Sequence, residues 1–309
     1  MSAELILDSV RTSGLLADGQ PVTVMLSGGR DSTCLLDLAV RVAGPAAVSV
    51  LHVNYGLRDS ADADERHCAE MCQALGVPIE VIHPVRPQTG NLQAWARAER
   101  YRAAGALAEQ HGADIAVGHT ATDQVETILY RLASSPSRRA LLGMNARDGR
   151  LVRPLLPFTR EQTAAYCTAR GLGWREDETN TSDAYARGRV RAGLIPALEA
   201  IHPAAIDNVL AVSKILRDEA SVLDTLVDDL LRGRREIELS RLRELPLAVR
   251  RLIVQRLADE AIGRPAPGTA RRADEVAGMA PNAMLDLPYV RAISERGTVR
   301  FVRRAAAAS

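Results

Sequence analysis

Aromatic side chains are scarce in this chain: two Phe, two Trp and six Tyr make up 3% of its 309 residues. A core stacked from rings is therefore excluded, and aliphatic side chains and alanine must fill the interior. Lysine is scarcer still, since every basic residue except Lys214 is an arginine. The four cysteines, Cys34, Cys68, Cys72 and Cys167, form no Cys-x-x-Cys pair, and the six histidines are scattered. That pattern has no metal-ligand cluster of the usual spacing and favours buried, reduced thiols. No apolar run approaches the roughly 18 residues of a membrane span, and the first residues lack a secretory-signal pattern. The expectation is a cytoplasmic protein with no membrane partner.

Charge says little by its total, +1, and more by its distribution. Residues 1–215 carry 22 basic side chains against 24 acidic ones, and residues 216–309 carry 17 against 14. The later part is mildly basic and arginine-built, which suits phosphate, although GC-rich coding gives the same composition. Length allows two domains, the first with a full-sized core.

A β-branched run at residues 22–26 leads into Ser27-Gly28-Gly29-Arg30-Asp31-Ser32 and then into Thr33-Cys34-Leu35-Leu36-Asp37-Leu38. This reads as a strand, a tight loop and a helix start. Such a loop offers backbone N–H groups and the positive end of a helix dipole to an anion. Its glycines permit close approach of the backbone. The Gly-Lys-Ser/Thr ending of a Walker A loop is absent. Further strands are expected at 46–53, 79–82 and 114–117, alternating with helices at 60–75, 92–111 and from 119 to about 132. That alternation predicts an α/β fold with a doubly wound, mostly parallel sheet. Ligands bind such sheets beyond the carboxyl ends of the strands, where residues 27–32, 54–58 and 119–126 all fall. Residues 134–139 read as a mobile loop, 151–157 as a strand bounded by prolines, and 171–191 as polar and irregular. The expected organisation is a catalytic domain at 1–204, a helical connector at 205–235 and a smaller α/β domain at 236–309. Strands are expected in that last domain near 283–287 and 298–302.

Taken alone, the loop at 27–32 resembles the pyrophosphate loop of the ATP pyrophosphatase (PP-loop) superfamily, whose members cleave ATP between the α and β phosphates. Its companions are His52-Val53-Asn54-Tyr55-Gly56-Leu57-Arg58, Ala96-Arg97-Ala98-Glu99-Arg100-Tyr101, the segment from Gly118 to Thr127, and residues 177–191 followed by Pro196. Together these resemble the tRNA(Ile)-lysidine synthetase family. The resemblance implies an adenine nucleotide alpha-hydrolase-like fold, with ATP and Mg²⁺ as cofactors. It implies L-lysine and the isoleucine tRNA with a CAU anticodon as partners. ATP activates C2 of the wobble cytidine as an O-adenylate, and the lysine ε-amine then displaces AMP to give lysidine.

On that resemblance Ser27, Gly28, Gly29, Arg30, Asp31 and Ser32 bind ATP, with the two serines acting as phosphate donors or as caps. Asp31 either holds Mg²⁺ on the phosphates or is a helix N-terminal carboxylate worth about 0.3–1 kcal/mol, and the two roles are compatible. His119, Asp123 and Glu126 have the i, i+4, i+7 spacing of one helix face. The two carboxylates would bind the lysine cation and hold its amine for attack, one of them serving as general base. The alternative for that spacing is a solvated helix face. Arg191, one turn after Arg187, would stabilise charge at the α-phosphate. Arg97 and Arg100 act likewise, contact tRNA, or are surface residues. His52, Asn54 and Arg58 shape the adenosine pocket, while His67, His83, His111 and His202 are structural.

The sequence departs from the family pattern at Tyr55, Thr122 and Gly188 and in residues 133–138, where a glycine-rich segment is usual. Two other readings compete. A tRNA cytidine thiolase would normally carry paired cysteines, which are missing. A non-catalytic tRNA- or nucleotide-binding homologue would not need Asp31, Asp123 and Glu126 together. The basic module after residue 216 is the candidate grip on tRNA, and a homodimer is left open.

Overall fold

The computed structural model describes residues 2–57, 60–135, 137–175 and 186–304. Short runs of β-branched and aliphatic residues build the central sheet. β1 (Val22–Met25), β2 (Val48–Val53), β3 (Ile79–Ile82), β4 (Asp114–Ala116) and β6 (Leu151–Val152) are parallel, and β5 (Arg147–Asp148) runs antiparallel to β6. The order is β3-β2-β1-β4-β6-β5. From β1 the chain winds outward through α2 (Arg30–Ala43) to β2 and through α3 (Ala61–Leu75) to β3. It returns through α4 (Leu92–Gln110) to place β4 on the opposite side of β1. The winding therefore reverses between β1 and β4, and a crevice opens at their carboxyl ends.

Both faces of the sheet are covered, because successive strand residues point to opposite sides. Val22, Val24, Val48 and Val50 join the core formed with α1 (Ala3–Thr12), α2 and α6 (Arg160–Ala169). Met25, Leu51 and Ile115 turn the other way, toward Ala103, Ala104, Leu107 and Ala108 of α4. Alanines and aliphatics carry the interior, as the shortage of aromatics requires. Tyr166 is fully buried because its hydroxyl has a partner. It donates to Asp37 on α2, which also accepts from Arg170 Nε and Nη2 at 3.2 and 3.3 Å. α2 and α6 are thus joined by a buried polar node.

α5 (Ala121–Ser134) packs Val125 and Leu129 against Val190. Val190 begins a π-helical turn, Val190–Leu194, between α7 (Ala186–Arg189) and α8 (Ile195–Ile201). Pro196, which cannot donate a backbone hydrogen bond, follows that turn. The helix expected within the connector at 205–235 is α9 (Ala205–Leu231). No single helix among the described residues is long and apolar enough to cross a membrane.

The chain divides into one unit of Met1–Ser134 with Leu142–Ala211 and a second of Ser135–Leu141 with Val212–Ser309. In the second, β7 (Glu236–Glu238), β10 (Thr298–Arg303), β9 (Val290–Glu295) and β8 (Met284–Asp286) form an antiparallel sheet in that order. α10 (Leu239–Glu244), α11 (Leu247–Ile262) and α12 (Ala273–Ala277) complete it, with Ile253, Val254, Leu257, Val290 and Val299 in the core. Arg296 (φ 51°) and Gly297 (φ 83°) make a tight turn between β9 and β10, the geometry that two-residue hairpins favour.

Two local expectations are corrected. Residues 151–157 supply only two strand residues, because Pro154 cannot donate to a ladder. The chain then turns, Leu156 N–H to Arg153 O at 3.2 Å and Phe158 N–H to Leu155 O at 2.9 Å. The segment expected as a mobile loop forms a 3₁₀ turn, Arg138–Ala140, with Ala140 buried and Arg139 paired to Asp259 at 2.6 Å.

Candidate active site

The loop after β1 is held open by its own side chains. Ser32 Oγ accepts from Ser27 N–H at 3.1 Å and donates to Gly29 O at 2.8 Å. Ser27 Oγ accepts from Gly29 N–H at 3.4 Å. The serines thus brace the loop, and Arg175 N–H closes it with a 2.9 Å bond to Gly28 O. Gly28 has φ +79°, and a Cβ there would lie 3.2 Å from Cys68 Sγ, so both conformation and space require glycine. α2 has Gly29 at its cap position and no side-chain cap. Its first N–H groups stay available to an anion, and that fits a phosphate.

The second wall of the crevice comes from the end of β4. A Cβ on Gly118 would lie 3.1 Å from the Asp31 carbonyl, so glycine lets the two loops touch where the winding reverses. His119 follows in the loop, ahead of the first helical residue, Ala121. The helix-face spacing therefore overstates its place: only Asp123 and Glu126 ride on α5. Thr120 stands at the cap position, and Asp123 Oδ2 accepts from its N–H at 2.9 Å and its hydroxyl at 2.8 Å.

A third element completes the cluster. Thr159 caps α6 in a capping box with Gln162, which sets Arg160 at the first turn, facing the two other walls. Arg160 Nη2 reaches Asp123 Oδ1 at 2.6 Å, Nη1 reaches Glu126 Oε1 at 3.3 Å, and Nε lies 3.7 Å from Asp31 Oδ2. Glu126, only 3% exposed, also takes a two-pronged bond from Arg191, at 2.6 and 2.9 Å. Thr163 donates to Asp31 Oδ1 at 2.5 Å. Burial raises the Asp31 carboxyl above its ordinary value, with Thr163 and Arg30 pulling against it. Burial also opposes charge on Asp123, yet Arg160, Thr120 and His119 hold that carboxyl below its ordinary value. His119 is pushed down to about 4, chiefly by burial, with Asp123 opposing and Arg153 reinforcing. Arg153 Nε donates to His119 Nδ1 at 3.3 Å, which leaves the ring proton of the neutral imidazole on Nε2.

Ser27, Gly29, Arg30, Asp31, Ser32, Arg100, His119, Asp123 and Arg191 all line one cavity of about 500 Å³. That is the size of a small-molecule site. Glu126 lies beneath it, and Gly28 faces Cys68 instead. Arg97 stacks over Tyr101 at 4.7 Å, with Arg100 at 5.8 Å from the same ring. His52 and Asn54 are buried away from the cavity. His52 Nδ1 binds Leu26 O at 2.9 Å, and Asn54 Nδ2 donates to Glu65 at 2.8 Å and Asp62 at 3.2 Å. They brace the rim instead of lining it. Arg58 and residues 177–185 lie outside the described residues. Among the described residues no group of three or more His, Cys, Asp or Glu forms a metal cage. Asp31 is a cavity carboxylate beside the phosphate loop that could hold Mg²⁺, an ion bound by one or two carboxylates when phosphates supply other oxygens.

Sequence reading missed Arg160, Thr163, Arg153, Trp174 and Arg175. The capping box Thr159-x-x-Gln162 announces the α6 start, and Arg153 follows β6 at a strand's carboxyl end. Nothing local marks Thr163, Trp174 or Arg175.

The family model of the PP-loop domain matches residues 6–198. A tRNA(Ile)-lysidine synthase of Salinispora tropica is 37% identical over 265 residues, 81% of this chain and 80% of that one. One from Symbiobacterium thermophilum is 35% identical over 96% of this chain and 69% of its own length. With the Thermus thermophilus relative, 36% identical, this chain spans about half (51%) of the relative's length. Among solved structures, the U34-tRNA thiolase of Methanococcus maripaludis, with its 4Fe–4S cluster, gives a TM-score of 0.57 at 15% identity. It covers 69% of this chain and 78% of its own, a likeness of fold alone. A PP-loop domain matched over residues 6–198, together with relatives 37% and 35% identical and covered over 80% and 69% of their own lengths, places this chain in the tRNA(Ile)-lysidine synthase family.

Proposed function

We propose that the chain joins L-lysine to C2 of the wobble cytidine in the isoleucine tRNA with a CAU anticodon, at the expense of ATP. In the first half-reaction the C2 oxygen attacks the α-phosphorus and pyrophosphate leaves. In the second the lysine ε-amine bonds to C2, the C–O bond breaks and AMP departs. The residues 27–32 loop and the uncapped start of α2 receive the phosphates. Asp31 is the residue to hold Mg²⁺, which neutralises phosphate charge when bound. Met25, Leu26, Leu51 and Val53 form the apolar side of the cavity, suited to the adenine ring. His119, neutral with its proton on Nε2, donates a hydrogen bond and cannot supply a positive charge at neutral pH. Asp123, which lines the cavity, and Glu126, buried beside it on the same helix, are the carboxylates to receive the lysine ammonium and take up its proton.

The observation that carries this reading is the meeting of Asp31 from the phosphate loop with Asp123 and Glu126 around one guanidinium. Phosphate binding alone does not call for that arrangement. A thiolase is less well supported, since all four cysteines are buried as free thiols. The test incubates the protein with ATP, labelled lysine and the CAU-anticodon tRNA. Lysine label and AMP in equal amounts are expected. ATP binding with neither product would establish a nucleotide-binding protein instead.

A further inference from the structure

The carboxylates assigned to the incoming amine already hold a cation. Arg160 bridges Asp123 and Glu126, and Arg191 grips Glu126 from a second side. Among the described residues of this ion-pair cluster, Asp31, Asp123 and Glu126 face Arg30, Arg160 and Arg191, so three negative charges meet three positive ones. An ammonium entering this cluster finds no net negative charge, and it must displace a guanidinium that is bound to a carboxylate largely screened from water. Buried pairs of this kind are costly to break.

The same guanidinium stands beside the phosphate loop. Its Nε is 3.7 Å from Asp31 Oδ2, and Asp31 is the second residue of the helix whose N-terminus faces the anion site. Arginine binds phosphate in the same forked manner as carboxylate. We propose that Arg160 is an internal counter-ion that keeps the amine site filled until nucleotide phosphates draw it away. Amino-acid binding then depends on nucleotide binding, and the dependence is reciprocal. Once Arg160 turns to phosphate, Asp123 keeps its two bonds from Thr120 and gains room for an ammonium. The order protects the chemistry, because lysine is admitted only to a site holding ATP.

This inference rests on the lysine reading above, and calorimetric titration separates the two. L-lysine is titrated into the full-length protein with and without Mg²⁺ and a non-hydrolysable α,β-methylene ATP. Wild-type protein should bind lysine at least tenfold more tightly with the analogue present. In Arg160→Met lysine should bind without nucleotide, and the analogue should change its affinity less than twofold. Arg160→Lys, which keeps a cation at the site, should restore part of the dependence. Equal wild-type affinity in both conditions would overturn the inference, whether or not the variants fold. Full tenfold dependence in Arg160→Met would overturn it too. If wild-type protein binds no lysine even with the analogue and labels no tRNA, the lysine reading itself fails, and the inference with it.

Discussion

In the first unit Arg160 and Arg191 meet a Glu126 that is 3% exposed, whereas in the second Arg291 meets an Asp286 that is 44% exposed. Arg272 and Glu275 form a similar surface pair in the second unit. Bond lengths do not separate the two sets: Arg191 to Glu126 and Arg291 to Asp286 both measure 2.6 Å. The environment does. Water screens the surface pairs, which contribute little. In the crevice each charge depends on its partner, because removing one leaves the other buried and uncompensated. An arginine-rich chain therefore uses one residue type in water-screened surface pairs in one place and in a buried charge network in another.

Breaking the crevice network should give the largest effect. Glu126→Gln is expected to lower lysine incorporation by at least ~100-fold, measured under single-turnover conditions. It should also destabilise the protein by about 3 kcal/mol in urea denaturation, because Arg160 and Arg191 lose a shared buried carboxylate. His119 sharpens the contrast through pH. Its folded pKa of about 4 lies below the unfolded value of 6.5, so the unfolded chain binds more protons between those limits. Its contribution to stability is complete above about pH 6.5 and is lost as pH falls toward about 4. His119→Gln should flatten that part of the stability–pH curve, as followed by thermal melts across the window.

Gly28→Ala tests the phosphate loop with a smaller change. The left-handed backbone costs roughly 1–2 kcal/mol with a Cβ present, and the contact with Cys68 adds to it. Nucleotide affinity should drop several-fold while the sheet stays intact by circular dichroism. The smallest effect belongs to the second unit. Arg291→Gln should leave the melting temperature unchanged within error, and a clear drop would show that its surface pairs matter as the buried ones do.

Much of this is legible in the sequence. Residues 27–32 declare themselves because glycines, a preceding β-branched run and a following helix occur together. Asp123 and Glu126 lie within one motif, and α4 was readable over nearly its whole length. His119 was placed on a helix because its spacing continues the period of α5 past the cap, and spacing alone does not show where a helix begins. β9 escaped notice although it alternates, because one of its inward positions is Ser294, a buried polar residue. Arg160 was illegible for a different reason. Its importance arises where α6 meets α5 and the first turn of α2, 34 to 129 positions away in sequence. His52 and Asn54 show the converse: motif residues at a strand's end can turn inward to hold the rim.

Adenylation and lysine attack, as proposed, use different residues of one cavity. The direct test is a single-turnover comparison of pyrophosphate release and lysine incorporation by Asp123→Asn with the CAU-anticodon tRNA. The variant should release pyrophosphate in a tRNA-dependent manner close to the wild-type rate while lysine incorporation is abolished. Loss of both activities in step, or retention of both, would contradict it.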